Sequence, residues 1–191
     1  MKYFTPERFL KLQNFASEQA FRAATSEWEQ AASAYEAHLR EIGPVLPSGV
    51  RRFVELGSFH DAHVLAMWQA QTRLTIVLRR DGEASKACVL TYSLIGAPSI
   101  NPSVLPEAYR SGEALWLYDE MGVDRNTASD SASATGRPKP GATVFTHDIL
   151  LSNGWEVRLG FRRLEVARPT ALIPGAPRPP AETQDLLRST A

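Results

Sequence analysis

Two His-Asp steps, His60-Asp61 and His147-Asp148, are the residues of this 191-residue chain best equipped for chemistry. An imidazole next to a carboxylate can bind a divalent cation or share a proton. His63 follows the first step at a spacing of three, so His60, Asp61, His63 and His147 form the candidate metal set. That spacing places two side chains on one face of a helix, not of a strand. Both steps fall at or inside predicted strands. His147 belongs to an alternating apolar segment, where a hydrogen-bonded core histidine is the more economical reading. An Asp at a strand entrance, as at Asp61, commonly bonds nearby backbone.

The other chemically capable residues carry less. Cys88, the single cysteine, sits between Ala87 and Val89 and reads as a buried core residue. One cysteine builds neither an internal disulfide nor a cysteine-based zinc site. Asp119-Glu120 reads as a solvated strand end. No nucleophile elbow, phosphate-binding loop or dinucleotide fingerprint occurs. The formal net charge is zero, from 21 basic and 21 acidic residues, and the longest basic runs are pairs of arginines. A nucleic-acid binder normally shows a basic excess, so none is expected as a partner.

The elements that must position these residues are legible from periodicity. The first 42 residues read as helix, starting at Thr5-Pro6, with Thr as cap and Pro at the first helical position. Ser26-Glu27-Trp28-Glu29 has the form of a capping box. Either a second helix begins there, or one long helix has its weak point at Thr25-Ser26. Gly43-Pro44 stops it. Val50 to Leu56 predicts one or two helical turns ended by Gly57.

The period then changes to two. Strands are expected at His63 to Gln69, Arg73 to Arg79 (Leu74, Ile76 and Leu78 on one face) and Lys86 to Ile95, with a hairpin at Asp81-Gly82. Together they make an antiparallel meander. Gly96 to Pro106 reads as loop and Ala114 to Asp119 as a strand. Residues 122 to 141 read as a flexible Ser/Ala/Gly/Pro loop.

From Thr143 to Val166 a hairpin turns at Ser152-Asn153-Gly154. A three-residue turn with left-handed Gly154 gathers Phe145, His147, Ile149 and Leu151 with Trp155, Val157, Leu159 and Phe161. It also sets Asp148 across from Arg158, so it is preferred over a two-residue turn. After Arg162-Arg163 the apolar parity switches, the mark of a bulge. Residues 169 to 191 form a proline-rich, disordered tail.

These elements predict an α+β fold, with N-terminal helices packed on an antiparallel sheet of about five or six strands. The expected division is a helical segment 1–45, a sheet domain 46–168 and the tail 169–191. The N-terminus has no apolar core of a secretory signal, and no stretch approaches the ~20 apolar residues of a membrane helix. A cytoplasmic protein without a membrane association is therefore expected.

Two stretches resemble a known pattern. Met1-Lys2-Tyr3-Phe4-Thr5 with its helical continuation, then Phe59-His60-Asp61-Ala62 and the strand pair Val64 to Leu78, resemble an uncharacterised bacterial family of unknown function. In that family a helical N-terminus leads through a Leu-His-Asp-Ala step into a small antiparallel sheet. Phe59 stands where Leu is typical. A similar step precedes a meander in some bacterial toxin-immunity proteins. The resemblance spans roughly the first 95 residues and implies no catalytic role. The resemblance points to a bacterial accessory protein. Together with the missing catalytic motifs, the neutral charge and the buried-looking Cys88, it leads to the expectation of an immunity-like protein that binds another protein without catalysis and without a cofactor. The alternative is a divalent-metal-dependent hydrolase built on His60, Asp61 and His63, joined by His147.

Overall fold

The computed structural model describes residues 1–13, 16–80, 87–103, 105–106, 113–124 and 143–168. Its fold is α+β, and among the described residues three α-helices lead into seven antiparallel strands. Helix α1 (Pro6–Leu12) opens as the sequence predicts, with the Thr5 hydroxyl accepting from the Arg8 N–H. Helix α1 ends at Leu12 with Gln13 as its C-cap, and α2 (Glu18–Ile42) starts on Ser17, whose hydroxyl accepts from the Ala20 N–H.

The expected weak point at Thr25-Ser26 is therefore wrong, and both residues lie inside α2. Their hydroxyls are satisfied without ending the helix. Thr25 donates back to the Phe21 carbonyl at 2.9 Å, and the Gln30 amide donates to Ser26 at 3.3 Å. Gly43 ends α2, a 3-10 turn (Gly43–Val45) follows, and α3 (Ser48–Glu55) runs to Gly57, which takes φ 74°.

The strands are β1 (Ala62–Ala70), β2 (Arg73–Arg79), β3 (Ala87–Leu94), β4 (Ser99–Pro102), β5 (Leu115–Asp124), β6 (Val144–Leu151) and β7 (Trp155–Ala167). This is one more than the five or six expected, because β4 forms within the segment read as loop. Strand β5 also runs on through residues 122–124, the start of the segment that reads as a flexible loop. The remainder of that loop, the Asp81-Gly82 turn and the tail 169–191 lie outside the described residues.

The sheet order is β3-β2-β1-β5-β6-β7-β4, and β3 also pairs with β7. Six strands thus close into a barrel, with β4 added to the free end of β7. Two meanders, β1-β2-β3 and β5-β6-β7, meet first strand to first and last to last. The return of β5 beside β1 makes this a Greek key. One seam is long, from Val89↔Ala167 to Leu94↔Phe161. The other is short among the described residues, where Ala62↔Trp116 and His63↔Leu115 are the pairs.

The β6–β7 hairpin adopts the predicted register. Asp148 faces Arg158, and Gly154 takes φ 84°. The predicted bulge is present too, since β7 slips by one residue against β3 at Arg162-Arg163. That slip keeps both Phe161 and Leu164 in the core.

Candidate functional site

Among the described residues, the barrel interior is a cluster of apolar side chains crossed by a chain of hydrogen bonds. Tyr92 on β3 and His147 on β6 have no exposed surface, and Trp116 on β5 is equally buried. The Tyr92 hydroxyl lies 2.8 Å from His147 Nδ1, and His147 Nε2 lies 3.1 Å from Asp119 Oδ2. Trp116 Nε1–H donates to Asp119 Oδ1 at 2.8 Å. A neutral imidazole protonated on Nε2 satisfies every group: Tyr92 O–H donates to Nδ1 and Nε2–H donates to the carboxylate. Phe53 from α3 lies edge-on to the imidazole, with ring centroids 5.1 Å apart.

A bulge aims Asp119 inward. Strand β5 slips against β6 between Trp116 and Tyr118, so Leu117 is the extra residue. Without it, Trp116 and Asp119, three apart, would face opposite sides of the sheet. With it, both point into the barrel, and Tyr118 turns outward to meet the N-terminal helices. The reading of Asp119-Glu120 as a solvated strand end is therefore corrected. Asp119 is 17% exposed and Glu120 is buried. The Glu120 carboxylate accepts from the backbone N–H groups of Lys2, Tyr3 and Phe4 at 2.6–2.7 Å.

Asp119 is also where this buried chain reaches the surface. It lies at the base of a cleft of about 460 Å³ between α2, α3 and β5. That volume lies in the range of small-ligand sites, roughly 300–1,000 Å³. Phe4, Trp28, Tyr35, Phe53 and Tyr118 line it with aromatic surface, and Glu36 adds a second carboxylate. Trp28 and Tyr118 have ring centroids 4.5 Å apart, and Phe4 sits 5.1 Å from Trp28. The Tyr35 hydroxyl accepts from the Met121 N–H at 2.7 Å. Burial, and then the Asp119 charge, push the Tyr35 pKa far above the usual tyrosine range. Burial, and then the Asp61 charge, push Tyr118 up to about 12. A smaller hollow beside Asp148 is already neutralised by Arg158, which bonds that carboxylate at 2.6 and 3.1 Å.

The four candidate metal residues go to three different places. His60 Nδ1 is 2.9 Å from Asp61 Oδ2, and its Nε2 is 3.0 Å from the Tyr118 hydroxyl. Asp61 takes φ 62°, a left-handed turn that Asp tolerates, at the entrance to β1. His63 turns to Glu113, with Nδ1 3.1 Å from Oε2. His147 is inside the barrel with both ring nitrogens engaged. Among the described residues, no three His, Cys, Asp or Glu side chains are grouped to hold a metal ion. Cys88 is buried as expected, and that burial raises its thiol pKa.

No protein-family model matches this chain, and no curated protein matches its sequence. No helix among the described residues is long and apolar enough to cross a membrane.

Proposed function

We propose that this protein is a non-catalytic binding protein of the bacterial cytoplasm, an accessory or immunity-like inhibitor. It engages another protein through the aromatic cleft between α2, α3 and β5. The observation that carries this reading is the wall chemistry of the cleft. Five aromatic side chains and a fixed carboxylate offer contact area and orientation. The hydroxyl that does lie beside an imidazole, Tyr118 with His60 Nε2 at 3.0 Å, has its pKa pushed up to about 12, so it stays protonated at neutral pH and is a poor nucleophile. The hydroxyl of Ser58, on the same wall, accepts from the His60 N–H at 3.0 Å. The one histidine bonded to Asp119 has no exposed surface, so it cannot exchange protons with a ligand in the cleft. Aromatic rings with a polar tip are the residues that dominate protein interfaces.

Quantitative co-purification from the native host tests this. The wild-type chain is expected to retain a stoichiometric protein partner, and Trp28→Ala is expected to lose it while keeping its fold by circular dichroism. Repeated recovery without a stoichiometric partner would count against the proposal. So would a partner held equally well by Trp28→Ala.

A further inference from the structure

We infer that the group this cleft receives is a cationic side chain of the partner, an arginine. The inference rests on the cleft being the binding site. Its support is charge and shape complementarity. Among the described residues, the carboxylates on the cleft wall are those of Glu36 and Asp119, and no lysine, arginine or histidine lines it. The faces of Trp28 and Tyr118 carry the negative side of a ring quadrupole, which attracts a cation.

Asp119 is a prepared anion. Trp116 and His147 each hold one of its oxygens, so its orientation is set before any ligand arrives. Each carboxylate oxygen can accept a second bond, and 17% of the side chain remains open to the cleft. Glu36 sits at the exposed rim in a loose 3.8 Å pair with Arg40, free to turn toward a second cation. A guanidinium suits this setting better than an ammonium. It is planar, weakly hydrated, stacks on aromatic rings and bonds carboxylates through fixed donors.

The test is a titration of the full-length chain followed by two-dimensional amide and indole NMR. Three probes are compared: the N-acetyl methylamides of arginine, of citrulline (its neutral isostere) and of norleucine. Saturable shifts of the Trp28 indole and the Tyr118 to Met121 amides are expected with the arginine probe. Citrulline should bind about tenfold more weakly, the loss of one charge-assisted bond. Glu36→Gln should weaken arginine binding while shifting, in the free protein, only signals next to position 36. Equal binding of citrulline or norleucine would overturn the inference but leave the cleft as a binding site. No saturable shift at the cleft with any probe would also overturn it. The partner-retention experiment with Trp28→Ala then decides separately whether the cleft binds protein at all.

Discussion

The Tyr92–His147–Asp119–Trp116 chain shows how few residues can be changed in this barrel without loss. Each polar group of this chain has a partner within it, and removing one leaves its neighbour unpaired in a low-dielectric interior. Tyr92→Phe strands His147 Nδ1 and should cost about 1–3 kcal/mol at neutral pH, read from the urea midpoint. The same ring gives the protein an alkaline limit. Burial holds the Tyr92 pKa well above its ordinary value, and Tyr118 is raised as well. The folded state therefore keeps protons that the unfolded chain releases from about pH 10 upward. The contribution of the raised tyrosines should be constant below that pH and be lost above it, by up to about 1.4 kcal/mol per pH unit for a fully buried ring. Tyr92→Phe should start lower and fall less steeply above about pH 10. Parallel curves for the two proteins would refute this account. The inward position of His147 was legible from alternation alone. Asp119 was not, because Trp116 and Tyr118 suggest an unbroken period of two. Nothing in Leu117 announces that it is the extra residue.

At the scale of elements, what could be read depended on whether the deciding contact was local. The β6–β7 hairpin and its bulge were legible because turn chemistry, apolar parity and the Asp148–Arg158 pair all favoured one register. The helix break was misplaced because two serines compete as caps, and only packing onto β5 decides between them. Tyr35 meets Met121, and α1 lays Phe9 against Leu117 and Leu150. The packing of α3 is equally hidden from local pattern. A Cβ on Gly49 would stand 1.6 Å from the carbonyl oxygen of Leu164 on β7, a backbone atom that cannot rotate away. Helix propensity alone would make Gly49→Ala stabilising by up to about 1 kcal/mol. The clash must instead push α3 off the barrel and withdraw Val50 and Phe53 from the core, so a net loss of about 1–3 kcal/mol or more is expected. Thermal denaturation gives the sign directly, and a raised melting temperature would exclude this packing.

For the whole molecule, the α+β class and the meander could be read from the strand pattern, but the closure of the sheet could not. Pairing of β3 with β7 and of β1 with β5 joins residues from distant parts of the chain, and neither pairing leaves a local signature. The two seams are unequal. Native-state hydrogen exchange should find the Asp61 and Val64 amides, which donate to Trp116 and Ala114, opening at lower free energy than Ile76 or Leu90 in the centre of the β2–β3 ladder. Uniform protection across all four would show that the barrel opens only as a unit.

The same closure governs how long the chain takes to become itself. Each meander can assemble from neighbouring segments, but until the two meet, their outer strands present unpaired edges. Joining them requires the ends of long intervening segments to find each other, and that entropy is lost before any closing contact compensates it. Folding on the millisecond-to-second scale of non-local β topologies follows. During that interval the edges of β1 and β7 can pair with another molecule as readily as with their own partners. The yield of native protein at high concentration is then set by a race between closure and encounter.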